Sequence, residues 1–303
     1  IGVRLVGSEM CIRDRSIYCR MVDRMLRKLP PGFCLAYLDD VLIYSTDVDT
    51  HLQHLEQVVK LHQQAGLKLQ LAKTTLFQHT VEYLGHKISE KGVEMLPEYV
   101  ARIQEWPKPQ TGKEMATWLG FTGYYRAFLP TYTNLTARMN GMKKEKIIQW
   151  DKDLEDRFNQ LKAEFSAGRV QAFPDFESNG EFIVTTDWSA TDVSGILSQQ
   201  QKGKEVFIAA FGRKCGKHES NYPSWKGEFM GVVKTVEHFS HILQGRRFKV
   251  VTDSSALKQV QQLKSTSGLL MRWYGKLAGY DFHVKHRPGK DNINAYLLSR
   301  ASH

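Results

Sequence analysis

Cysteine is scarce in this chain. Its four residues, Cys11, Cys19, Cys34 and Cys215, show neither paired nor metal-ligand spacing. That excludes a disulfide framework or a thiolate zinc site as the basis of the fold, and a reduced, intracellular setting is expected. Also missing are an apolar run long enough to span a bilayer and a secretory signal, so no membrane partner is expected. Negative charge is in deficit: 32 Asp and Glu stand against 42 Lys and Arg, a net +10 over 303 residues. Residues 16–150 carry 17 basic and 13 acidic residues, and residues 151–303 carry 22 and 17. The surplus is spread over both halves and not confined to a tail. It suits a polyanionic partner, because each phosphate neutralised by Lys or Arg releases counterions. The length suffices for two domains with cores of their own.

Residues 16–29 read as the end of a helix, with Met21, Met25 and Leu29 on one face and Pro30-Pro31-Gly32 as the stop. FCLAYL and VLIYS flank Asp39-Asp40, which reads as a two-residue hairpin turn. A helical pattern of Leu52, Leu55, Val58, Val59, Leu61 and His62 follows and is closed by Ala65-Gly66. LKLQ (67–70) and VEYLGHKIS (81–89) read as strands, the second ending in a Lys-Gly turn at 91–92. Thr111-Gly112-Lys113-Glu114 forms a capping box that opens a helix. Trp118, Phe121, Tyr125 and Phe128 recur at helical spacing and are expected in a core. Tyr124 and Arg126 point elsewhere and are candidates to meet nucleic acid. Residues 151–165 read as a further helix, and a domain boundary is expected around Gly168–Pro174. Beyond it come three strands with short turns, a helix, a strand, a helix, another strand and a C-terminal helix, the order of a mixed sheet in an α/β domain.

Three carboxylates stand out in that second half. Asp187 ends the apolar run FIVTTD, Glu228 lies in the first turn of a helical pattern over 224–243, and Asp253 ends FKVVTD. Each alone is an ordinary strand-end or helix-start acid. Together, two strand ends and one helix start can converge on one edge of a sheet, where bare carboxylates repel and divalent metal between them makes a phosphodiester-cleaving site. His51 and His54 have a metal-pair spacing but no third ligand nearby, and read as solvated helix residues.

The stretches YLDDVLIYS (37–45), VEYLGHKIS (81–89), WLGFTGYYRAFLP (118–130), FIVTTDWSATDVSGILSQ (182–199), ESNYPSWKGE (219–228), FKVVTDSSAL (248–257) and YDFHVKHRPGKDN (280–292) resemble, in this order, part of the Pol polyprotein of gypsy-type LTR retrotransposons. The resemblance runs from about residue 16 to the C-terminus. It implies an α/β (α+β) chain: the C-terminal part of a reverse transcriptase palm (16–95), a helical thumb and connection (96–173) and a ribonuclease H-like mixed sheet with helices (174–303). Residues 4–14, RLVGSEMCIRD, match the translation of a string resembling a tagmentation sequencing adapter, so residues 1–15 are expected to lie outside the native fold.

The resemblance also implies roles. Asp187, Glu228 and Asp253 would hold Mg²⁺ or Mn²⁺ and cleave RNA in RNA–DNA hybrids. Asp39 would bind the polymerase metal, with Asp40 beside it. The family's other palm aspartate and its nucleotide-binding fingers lie upstream of the matched stretch, so half a polymerase site is expected. Gly85 and His86 correspond to a turn that holds the primer end, or serve packing alone. Ser189 and the Gly195 region fit the tight hairpin after Asp187. His286 would assist proton transfer or product release, or is a packed strand-end residue. Expected partners are RNA–DNA hybrid, DNA, RNA and other Pol domains, in a cytoplasmic setting within virus-like particles and with access to the nucleus. One departure matters. Where the family reads Ala-Asp-Ala-Leu-Ser-Arg, this chain has Ala295-Tyr296-Leu297-Leu298-Ser299-Arg300, so a neutral phenol replaces the fourth metal-binding carboxylate. Two functional readings follow: a polymerase and ribonuclease H by descent, or a non-catalytic nucleic-acid-binding remnant of a decayed element.

Overall fold

The computed structural model of the chain describes residues 17–38, 40–252 and 268–286. It divides into two compact units, one ending at Tyr83 and one beginning at Leu84.

In the first unit, α1 spans residues 17–26. Its inward face is Val22 and Met25 (2% and 6% exposed), while Met21, expected beside Met25, is 37% exposed. Strands β1 (Cys34–Tyr37) and β2 (Asp40–Ile43) pair antiparallel, and Tyr37 opposite Asp40 closes the hairpin. Asp40 is therefore already a strand residue and not the second half of the turn. Leu38 takes the left-handed φ of +57° that a two-residue hairpin demands. Helix α2 (Val48–Gln64) starts at Asp47, whose carboxylate accepts from the Thr50 N–H at 2.8 Å. The histidines expected to be solvated are packed. His54 stacks on Phe33 at 3.8 Å, His51 meets the edge of Phe77, and the Ser45 hydroxyl bonds Nδ1 of both rings. LKLQ forms no strand; Leu69 and Leu71 stand exposed, with no pairing to hold them extended. Strand β3 (Thr80–Tyr83) ends the unit.

The expected single strand 81–89 is interrupted. Leu84 and Gly85 both have positive φ, and a new strand β4 (His86–Ser89) follows, paired antiparallel with β5 (Gly92–Met95). Four helices then pack together: α3 (Pro97–Glu105), α4 (Gly112–Gly123), α5 (Tyr132–Gly141) and α6 (Lys152–Ser166). The capping box is present: Thr111 caps α4, and Glu114 reaches back to the Gln110 N–H at 2.7 Å. Trp118, Tyr125 and Phe128 lie in the core of this bundle, with Phe121 half-buried against it. Helix α4 ends at Gly123, so Tyr125 and Phe128 reach that core from the 3₁₀ turn that follows and not from the helix itself.

The rest of the second unit is a five-stranded sheet ordered β10-β9-β6-β7-β8. Strands β6 (Phe182–Trp188), β7 (Asp192–Gln201) and β8 (Lys204–Lys214) form an antiparallel meander. Helix α7 (Ser224–His238) and the short α8 (Ser240–Leu243) lead to β9 (Arg247–Thr252), which runs parallel to β6. Helix α9 (Gly268–Leu277) then leads to β10 (Asp281–His286), parallel to β9. Val184, Leu197, Val250, Phe248, Val233 and Val236, all fully buried, form the layer between sheet and α7. Each such side chain contributes about 1.5–3 kcal/mol by leaving water. The C-terminal helix expected after β10 lies outside the described residues.

Candidate active site

The apolar run FIVTTD buries Phe182 and Val184 in the core with α7 and leaves Asp187 exposed at the end of β6, opposite Ser194. The turn after it is tied by side chains. Ser189 N–H donates to the Asp192 carbonyl at 2.9 Å, and the Ser189 hydroxyl reaches the buried Asp192 carboxylate at 2.9 Å. Gly195 serves a different purpose from the turn expected of it. It lies within β7, and a methyl there would overlap Thr235 of α7, so it sets the spacing between sheet and helix.

Two more glycines bring α7 onto the strand end. A Cβ on Gly227 would fall inside the Trp188 indole, and a Cβ on Gly231 would sit 3.9 Å from the Asp187 carbonyl. Glu228 lies between them and is 5% exposed. Asp187 and Glu228 thus stand where the end of β6 meets the first turns of α7. Strand β9 keeps register with β6 through Thr185 opposite Val251 and is described to Thr252. Asp253, the next residue, and Tyr296 lie outside the described residues. Among the described residues, no three His, Cys, Asp or Glu side chains gather closely enough to hold a metal. His286 ends β10 opposite Thr252 and is exposed, not packed.

A second group forms around the turn before β4. Tyr124 donates its hydroxyl to the Leu84 carbonyl at 2.5 Å, and Tyr125 donates to the Gly85 carbonyl at 2.7 Å. His86 Nδ1 also bonds the Leu84 carbonyl, at 2.9 Å, which fixes the Nδ1–H tautomer. Its ring packs among Tyr124, Tyr125 and Phe128. Burial holds the His86 pKa below its usual value, and burial also raises that of Tyr125. Tyr124 is 55% exposed. Tyr125 belongs to this group as much as to the core, and the Tyr124-Tyr125 doublet is the sequence signal for it. Arg126 is exposed, and its charge acts on Tyr132 and His238. Asp40 is exposed at the start of β2, and with burial it raises the Tyr83 pKa. Asp39 lies outside the described residues.

Among the described residues no helix is long and apolar enough to cross a membrane. Two protein families match the chain: "Reverse transcriptase (RNA-dependent DNA polymerase)" over residues 16–88 and "RNase H-like domain found in reverse transcriptase" over residues 177–280. The chain is 34% identical over 283 residues to the Retrovirus-related Pol polyprotein from transposon 297 of Drosophila melanogaster, covering 93% of this chain and 26% of that protein. It is 29% identical to the corresponding polyprotein from transposon gypsy of the same organism, covering 94% of this chain and 28% of that one. It therefore spans between a quarter and a third of such relatives. In fold it is similar to the foamy viral protease-reverse transcriptase solved with double-stranded DNA (TM-score 0.75, 20% identity, 90% of this chain and 49% of that one). A second solved form, with RNA/DNA hybrid, gives a TM-score of 0.72 at 19% identity, over 91% of this chain and 38% of that one. The order of strands and helices, the carboxylates at the end of β6 and on α7, and these matches converge: the chain belongs to the Pol polyproteins of gypsy-class retrotransposons, of which it carries reverse transcriptase and ribonuclease H-like domains.

Proposed function

We propose that this chain binds RNA–DNA hybrid and carries at the end of β6 a site for hydrolysing the RNA strand, whose rate Tyr296 lowers. Asp187, Glu228 and Asp253 would hold Mg²⁺ or Mn²⁺. The observation that carries this reading is the seating of Glu228 between Gly227 and Gly231, directly against the strand end that bears Asp187. Carboxylate oxygens are the donors such hard cations take. When bound, the metal lowers the pKa of the attacking water and steadies the leaving oxygen. The chain's own part is to fix the donors. Burial limits the rotamers of Glu228, and the Ser189–Asp192 turn holds the exposed end of β6. His286, exposed opposite Thr252 at the end of β10, would hand a proton to the departing oxygen. Selection of RNA would come from contacts to the 2′-hydroxyl.

In a longer polyprotein, Asp39 with Asp40 would serve DNA synthesis, Gly85 and His86 would hold the primer end, and Tyr124 and Arg126 would meet nucleic acid, alongside other Pol domains. The setting would be cytoplasmic, within virus-like particles, with access to the nucleus. Tyr296 favours a second reading, in which the chain binds hybrid without cutting it. Cleavage assays with a labelled RNA strand, on the chain as given and on Tyr296→Asp, separate the two: a slow cut by the first that Tyr296→Asp raises fits the first reading. The first reading expects Mg²⁺-dependent cuts in hybrid, none in DNA duplex, and loss of cutting with Glu228→Gln. Tight hybrid binding with no cut would select the second.

A further inference from the structure

We propose that Ser45, His51 and His54 form a binding site for Zn²⁺ that pins the end of the β1–β2 hairpin to α2. The two histidines have metal-ligand spacing, and the fold supplies a third donor from outside the helix. Nδ1 of His51 and Nδ1 of His54 lie 3.2 and 2.8 Å from the Ser45 hydroxyl oxygen, so both ring nitrogens converge on one point. Bonds of about 2.0–2.1 Å to a four-coordinate ion set neighbouring donors about 2.8–3.4 Å apart, the spacing these contacts already have. The hydroxyl carries one proton and donates to only one Nδ1, so without an ion the other ring must present Nδ1–H to it. An ion would take both nitrogen lone pairs at once. Imidazole nitrogen suits Zn²⁺, whereas Mg²⁺ seeks oxygen donors. Three protein donors leave a fourth position for water, as at other open zinc sites.

The fold holds the three donors in place. The His54 ring stacks on Phe33, which is 3% exposed, at 3.8 Å, and His51 meets the edge of Phe77 at 5.4 Å. On the hairpin side, Tyr44 N–H donates to the Phe33 carbonyl at 2.9 Å, which carries the pairing of β1 and β2 to the residue before Ser45. On the helix side, Asp47 caps α2 through the Thr50 N–H, and His51 and His54 follow three residues apart on one face. Asp47 and Asp49 put two negative charges at this end of α2, against the positive pole that would otherwise disfavour a cation. All three donors are half-buried, so an ion can reach them. A donor set ordered in advance loses less entropy on binding than a mobile one.

The test is calorimetric titration of the untagged chain with Zn²⁺ in millimolar Mg²⁺, which occupies carboxylate sites and leaves imidazoles free. H51Q/H54Q should lose one bound equivalent while keeping the parent's circular dichroism. H218Q/H283Q, which removes two exposed histidines elsewhere, should keep that equivalent. S45A should weaken binding by about 10–100-fold, the usual loss when a metal site is stripped of a supporting group. S45C places a thiolate at the point of convergence and should tighten binding at least about tenfold. With Co²⁺ it should also show a sulfur-to-metal charge-transfer band, absent from the parent. Should H51Q/H54Q fail to fold, S45C decides the matter. The proposal is overturned if the parent takes up no Zn²⁺, if folded H51Q/H54Q binds it like the parent, if H218Q/H283Q loses as much, or if S45C gains nothing. The Ser45 hydroxyl would then be a hydrogen bond shared by two rings and nothing more.

Discussion

Gly227 and Gly231 lie one turn apart on α7, and alanine should act in opposite directions at the two. At 227 a methyl meets Cδ2, Cε2 and Cε3 of the Trp188 indole well inside contact distance. The ring follows Asp187 directly and packs against the sheet core, so either it or the helix must move. Overpacking of this kind costs about 1–3 kcal/mol, which is on the order of 3–10 °C in melting temperature for a domain of this size. A helix pushed outward carries Glu228 away from Asp187, and a displacement of about 1 Å costs about 10²-fold in rate. At 231 the nearest atoms to a new Cβ are 3.7 Å (Trp188 Cβ) and 3.9 Å (Asp187 O) away, which is ordinary contact. Alanine there should be neutral or stabilising by about 0.5–1 kcal/mol, the usual helix preference over glycine. Thermal melting of both variants, with hybrid cleavage measured in the Tyr296→Asp chain, checks the pair. A Gly227→Ala protein that melts and cuts like its parent would refute the packing argument, as would equal destabilisation at both positions.

Gly92→Ala should destabilise by more than about 2 kcal/mol, because φ there is +131° and a methyl would overlap the Gln171 carbonyl; denaturant titration measures it. Tyr124→Phe removes the hydroxyl bonded to the Leu84 carbonyl and should cost about 1 kcal/mol without unfolding the bundle. Burial depresses the His86 pKa in the fold, so between that value and about 6.5 the unfolded chain binds more protons. Stability should therefore fall as pH drops below about 6.5, and His86→Gln should lessen that fall. Because burial depresses His238 too, a residual slope of the same sign should persist.

The sheet order and the helix between β8 and β9 are legible because their signals are long. FIVTTDW is an apolar run that closes on an acid, and the 15 residues of α7 carry helical periodicity. Short signals failed where one residue's backbone decided the outcome. VEYLGHKIS reads as one strand by composition although the resemblance puts a turn at Gly85-His86, and Leu84 takes a φ of +49° there, with Tyr124 bonded to its carbonyl. Asp39-Asp40 looks like a turn, and the hairpin closes one residue earlier, at Tyr37 opposite Asp40. LKLQ has strand composition but no partner strand. The convergence of Glu228 on the strand end was legible but its means was not, since the roles of Gly227 and Gly231 depend on where Trp188 arrives from a strand 39 residues earlier in the chain. Likewise, only the fold reveals that Ser45 joins His51 and His54.

The most direct test of a metal-dependent carboxylate site at the end of β6 compares hybrid cleavage by three chains: the sequence as given, Tyr296→Asp, and Tyr296→Asp with Asp187→Asn. With a phenol at the fourth position the first should cut weakly or not at all. The second should gain on the order of 10²-fold or more, the scale of restoring one preorganised electrostatic group. The third should lose that gain, which separates restored catalysis from a contaminating nuclease. Cleavage by the unaltered chain at a rate that Tyr296→Asp leaves unchanged, or recovered cleavage that survives Asp187→Asn, would contradict the account.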